Sequence, residues 1–95
     1  MSVVVSVVAP AFSADMYDAV TSKVMPDNTL PEGCELHIAG PVDAGWRVIT
    51  VWQSREAFDR FRAEQLVPAL REVAGDQAGP PPEPEVQSVH RLITA

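Results

Sequence analysis

His37 and His90 are the only histidines in this 95-residue sequence, and imidazole is the side chain best able to exchange protons near neutral pH. His90 is the stronger candidate for a catalytic base. A C-terminal strand from about Val86 to Thr94 would carry Val86, His90 and Leu92 on one face, where the ring meets apolar neighbours. His37 falls on another strand, expected at the opposite edge of the same sheet, so the two rings would approach only between two copies of the chain. For each, a hydrogen-bonded strand histidine with no chemistry is the alternative. Neither has a clustered carboxylate or thiol partner, so no metal motif is read.

Donors for a developing negative charge would come from a helix following Ser54. Turning that helix by ~100° per residue from Phe58 places Phe61, Gln65, Leu66 and Ala69 in one arc, with Arg62 on its inner flank. Arg62 and Gln65 then face the sheet and can hydrogen-bond an oxygenated ligand, unless both long side chains run past the apolar rim into water. Tyr17 and Ser6 complete the polar tips expected to point inward. No Ser-His-Asp arrangement, phosphate loop or dinucleotide fingerprint is present, and no cofactor is indicated.

The elements that must position these groups are legible from punctuation. Ser2 to Ala9 holds five valines and no turn residue, which fits a central strand apolar on both faces; Pro10 ends it. Ser13 is the expected N-cap of a first helix with Asp15 in its first turn, Phe12 set to staple against Tyr17, and Tyr17, Val20 and Val24 as inner stripe. The helix stops before Pro26. Strands from about Cys34 to Val42 and Trp46 to Gln53 are joined by Asp43-Ala44-Gly45, a hairpin loop whose glycine suits a positive φ. Both tryptophans and two of the three phenylalanines lie between Gly45 and Phe61, so the largest apolar surfaces converge on one strand and one helix, with room for a pocket.

The second helix opens at Ser54, with Glu56/Arg60 and Arg60/Glu64 spaced for surface ion pairs. Pro68 forces a kink or break near Leu66, with a short segment continuing to about Val73. The stretch containing Pro80-Pro81-Pro82 reads as a stiff extended spacer before the last strand. The order β-α-β-β-α-β gives an α+β, ferredoxin-like, four-stranded antiparallel sheet with both helices on one face, as a single domain over residues 1–95. Valine-rich strands cannot leave the other face in water, so a homodimer is expected.

Composition excludes several functions. With 13 acidic against 7 basic residues the formal charge is −6, and the basic residues do not cluster, so nucleic acid is not an expected partner. The run SVVVSVVA is too short to span a membrane and lacks a basic start, so no membrane association is expected. A single cysteine, Cys34, excludes an intrachain disulfide and suits a cytoplasmic protein, with the thiol as a small buried group or, alternatively, a reactive one.

The segments Ile49-Thr50-Val51-Trp52-Gln53-Ser54 and Glu56-Ala57-Phe58 resemble the dimeric α/β-barrel superfamily, which includes antibiotic-biosynthesis monooxygenases, haem-degrading monooxygenases and muconolactone isomerases. The shared pattern is a tryptophan on strand three followed by a serine-capped helix with an alanine-phenylalanine pair. The resemblance implies that Trp52 lines a cavity; Trp46, on the same strand face by alternation, is expected to pack in the core. Haem-degrading members carry a second tryptophan where Phe61 stands, a histidine near Arg71 and a strand-one asparagine, none of which this sequence has; haem degradation is disfavoured. The leading expectation is a cofactor-independent monooxygenase acting on a hydrophobic, aromatic or polyketide-like small molecule. His90 would act as base with His37 near it, Arg62 and Gln65 as donors, and Trp52, Phe61, Tyr17 and Ser6 lining the site. A cyclase or isomerase using His90 on a carbon acid, and a non-catalytic binding or stress-response dimer, are the alternatives.

Overall fold

In the computed structural model, which describes residues 1–75 and 83–95, the elements are β1 (Val3–Ala9), α1 (Ala14–Val24), a 3-10 turn (Pro26–Asn28), β2 (Cys34–Val42), β3 (Gly45–Trp52), α2 (Arg55–Phe61), a π-helical turn (Arg62–Leu66), α3 (Val67–Ala74) and β4 (Glu85–Ser88). The strands form one antiparallel sheet in the order β2-β3-β1-β4. This is the ferredoxin-like arrangement expected from the sequence, with β1 and β3 at the centre. The Pro80-Pro81-Pro82 run lies outside the described residues.

Register decides which side chains can meet. Val3, Val5, Val7 and Ala9 of β1 lie opposite Trp52, Thr50, Val48 and Trp46 of β3. Val5 and Trp52 are 2% and 1% exposed and pack in one cluster with Val20 and Val24 of α1, Phe58 and Phe61 of α2 and Ala69 of α3. All the helices therefore cover this face. Alternation sends Val4, Ser6 and Val8 to the other face, together with their partners Val51, Ile49 and Arg47. Ser6, expected inward, accordingly stands on the side away from the helices, because its neighbour Val5 takes the core position.

The local signals at element ends are formed as the sequence implies. Ser13 Oγ accepts from the Met16 amide at 3.3 Å, and Ser54 Oγ accepts from the Ala57 amide at 3.1 Å, each satisfying one free donor of a helix start. Gly45 follows the hairpin loop with φ +136°, and a Cβ there would lie 2.6 Å from the Ala9 carbonyl oxygen. Gly33, at φ +86°, brings the loop before β2 against the start of α2, where an added Cβ would stand 2.9 Å from that of Ala57.

The break near Leu66 forms as expected, and two other features differ from expectation. The break imposed by Pro68 takes the form of a π turn: the Val67 amide donates to the Arg62 carbonyl, and Pro68 falls in the first turn of α3, where its missing N–H costs nothing. On the surface of α2 the ion pair formed is Arg55–Asp59 at 3.8 Å, not Glu56/Arg60 or Arg60/Glu64, and Lys23 pairs with Glu72 at 3.3 Å. Finally, β4 is four residues long. Its ladder with β1 runs only from Ser6↔Glu85 to Val3↔Ser88, and beyond it a single bond joins the Val89 amide to the Ser2 carbonyl at 2.9 Å. With no further β1 partner, the chain leaves the sheet before His90.

Candidate functional site

An apolar cavity of about 130 Å³ lies between the sheet and the helices. Val5, Val7, Val48 and Trp52 supply its sheet side, Val20 and Val24 of α1 one wall, and Phe58, Phe61, Leu66 and Leu70 the other. Polar side chains reach it from few positions: Tyr17 and Thr21 on α1, Cys34 and His37 on β2, Thr50 on β3, and Arg62 at the start of the π turn.

His37 and Tyr17 form the centre of this polar set. Tyr17 stands one turn into α1, in register with buried Val20 and Val24, so its ring points at the sheet. His37 pairs with Thr50 across β2 and β3 and so shares the helix-facing side of the sheet. The Tyr17 hydroxyl and His37 Nε2 are hydrogen-bonded, with ring centroids 5.9 Å apart. Burial lowers the His37 pKa from its ordinary 6.5, which keeps the imidazole neutral and able to accept a proton at neutral pH. Burial also raises the Tyr17 pKa from 10.0, against the opposing hydrogen bond from Thr21 and with help from the Asp18 charge, so the phenol stays protonated.

A bulge in β2 is what brings Cys34 to the same face. Pairing runs Cys34↔Trp52 and then Leu36↔Val51, so one extra residue is accommodated at Glu35. Without it, Cys34 and His37, three positions apart, would face opposite sides of the sheet. Burial raises the Cys34 pKa, only partly offset by its bond to the Leu36 carbonyl at 3.5 Å, and a protonated thiol is a weak nucleophile. On β3, Trp52 Nε1 donates to Thr50 Oγ1 at 2.8 Å, so the two polar atoms of that wall satisfy each other. Trp46 backs Tyr17 at a centroid distance of 5.2 Å, its buried indole N–H without a partner among the described residues.

The structure brings together five residues read as site candidates: His37, Tyr17, Trp52, Phe61 and Arg62. It does not bring His90, Gln65 or Ser6 to this cavity. His90 is exposed beyond the end of β4, so the strand face shared with Val86 and Leu92 does not form. Gln65 is exposed because the π turn shifts the helical phase: five residues separate stacked positions there, so Leu66 rather than Gln65 follows Phe61 inward. Thr50 and Thr21 were not anticipated. Thr50 carried a signal, since it alternates with Trp46 and Trp52 on one strand face; Thr21 carried none beyond lying four residues after Tyr17.

No family model matches the sequence, and no curated protein matches it. Solved structures do. Rv0793 of Mycobacterium tuberculosis superposes with a TM-score of 0.62 at 15% identity, covering 98% of this chain and 97% of its own. A mutant form of SnoaB, a cofactor-independent oxygenase from Streptomyces nogalater, gives 0.60 at 15% identity over 99% and 97%. A Bordetella bronchiseptica protein described as a candidate antibiotic biosynthesis monooxygenase gives 0.59 at 13% identity over 93% and 94%. The fold is that of the antibiotic-biosynthesis-monooxygenase-like proteins. At this identity the likeness is one of fold, in agreement with the resemblance carried by Ile49 to Ser54 and Glu56 to Phe58. Among the described residues no helix is long and apolar enough to cross a membrane, and no three metal-ligating side chains converge.

Proposed function

We propose that the chain is a cofactor-independent monooxygenase of aromatic substrates, working as a homodimer, with the His37–Tyr17 pair as its proton acceptor. The observation that carries this reading is a neutral histidine hydrogen-bonded to a protonated tyrosine at the wall of an otherwise apolar cavity. A phenolic substrate seated on Trp52 and Phe61 would hand its proton to His37, directly or through the Tyr17 hydroxyl. The resulting phenolate is electron-rich enough to reduce oxygen without a cofactor. The ring carbon para to the hydroxyl then becomes a carbonyl: one oxygen atom of O₂ stays on that carbon, and the other leaves as water with the two hydrogens the phenol loses. Arg62 at the rim would stabilise the anion, and the apolar walls exclude water from it. The oxygenase among the structural neighbours supports the reaction type.

Dimerisation is supported by the face away from the helices, where Val8 and Ile38 are 40% and 51% exposed. An oxygen electrode tests the chemistry. One O₂ consumed per quinone formed, with no added flavin, haem or metal, is the expected result; substrate converted at the same rate without oxygen, to a product of unchanged oxidation level, would instead make the protein a cyclase or isomerase.

A further inference from the structure

Two residues, Phe61 and Pro31, border both the apolar cavity and a separate polar groove of about 300 Å³ lined also by Gln53, Ser54, Glu56, Glu64 and Gln65. Phe61 is 8% exposed, and its ring lies against Trp52 with centroids 5.0 Å apart and planes tilted by 38°. As the last residue of α2, directly before the π turn, it is fixed at the point where the helical phase changes. The space it closes is small: 130 Å³ is close to the ~150 Å³ of an apolar cavity that holds one benzene.

Building on the cavity as the ligand site, we propose that Phe61 is the specificity-determining partition of this protein. It limits the ligand to about one aromatic ring by separating the cavity from the polar groove. A smaller side chain at this position joins the two spaces and admits a two-ring ligand whose far end carries a polar group. Leu70 also lines the cavity but does not border the groove, so truncating it adds apolar space without opening that route.

Isothermal titration of the full chain with phenol, 2-naphthol and 2,6-dihydroxynaphthalene tests the partition. The unaltered protein is expected to bind phenol at least about 10-fold more tightly than either naphthalene compound. Phe61→Ala should bind 2,6-dihydroxynaphthalene about 10-fold or more tightly than the unaltered protein does, and should prefer it to 2-naphthol, because its second hydroxyl reaches the groove. Phe61→Leu, which keeps a buried aliphatic group, should show the same change in smaller degree and serves if the alanine variant does not fold. Leu70→Ala should show no preference for the second hydroxyl. Naphthalene compounds binding the unaltered protein as tightly as phenol, or Phe61→Ala and Leu70→Ala behaving alike, overturn the partition while leaving the cavity reading intact. Failure of all three compounds to bind overturns both.

Discussion

The Tyr17 hydroxyl is bonded to His37 Nε2, joining the first helix to an edge strand through a polar contact in the lining of an apolar cavity. The partners come from elements packed on each other only after the sheet is assembled, so the pair exists in the folded chain alone. Each group also keeps the other in a useful state. A protonated phenol has a neutral acceptor within reach, and a desolvated imidazole has a donor that offsets part of its burial.

If this pair accepts the substrate proton, removing either member lowers turnover more than it lowers stability. His37→Gln keeps the approximate shape and hydrogen-bonding capacity but cannot titrate, and should reduce kcat by about 10²-fold or more. Tyr17→Phe should cost less if the proton passes directly to His37 and about as much if it travels through the hydroxyl. His90→Gln, at an exposed position beyond the sheet, should leave kcat unchanged. Steady-state oxygen uptake by the three variants decides it, and loss of activity confined to His90→Gln would refute the assignment.

The lowered His37 pKa also has a sign in pH. Below 6.5 the unfolded chain takes up a proton that the folded chain resists, so the stability due to neutral His37 is fully present above pH 6.5 and is lost as pH falls through the folded value. Thermal melts from pH 7.5 down to 4.5 should show a steeper fall for the unaltered protein than for His37→Gln. Activity should fall over the same range, with its acid limb below 6.5. Parallel melting curves for the two proteins would contradict a desolvated imidazole.

What the sequence announced and what it hid divide along physical lines. Caps, the hairpin glycine and the proline break are local effects, and Ser13, Ser54, Gly45 and Pro68 act as their chemistry requires. The topology followed from element order, Tyr17, Phe61 and Arg62 from simple periodicity, and Trp52 from the family resemblance. The misplacements arise where a period is interrupted. A π turn of five residues moved Leu66 into the place that 100° rotation gives Gln65, and a bulge at Glu35 put Cys34 and His37 on one side. His90 was misplaced for another reason: alternation was extended past the point where β1 offers a partner, and a strand without a ladder is not a strand. The Tyr17–His37 bond itself is a long-range contact that no spacing along the chain encodes.

The bond from Trp52 to Thr50 should be measurable as a coupling. Thr50→Val leaves the indole N–H buried without an acceptor, and Trp52→Phe removes the donor while retaining an aromatic ring. Each single change should destabilise by about 1–3 kcal/mol, and the double variant by about 1 kcal/mol less than their sum, because removing both partners leaves nothing unsatisfied. Urea unfolding of the four proteins gives the cycle. Simple additivity would mean that the two side chains contribute through packing alone.

The face away from the helices gives the assembly prediction its handle. Ile38 on edge strand β2 is 51% exposed and pairs across the ladder with Ile49, while Val8 on β1 is 40% exposed on the same side. A single copy would leave these side chains in water, whereas a second copy laid against the face would bury them at roughly 25 cal/mol per Å² of apolar surface. Sedimentation at micromolar concentration should therefore give about twice the 10.3 kDa chain mass. Ile38→Glu places a charge where the isolated chain is already solvated, so it should shift sedimentation toward the monomer while the circular dichroism of the fold persists. If instead the unaltered chain sediments as a monomer up to 100 μM, roughly, the exposed valine and isoleucine are ordinary surface residues and the dimer is wrong.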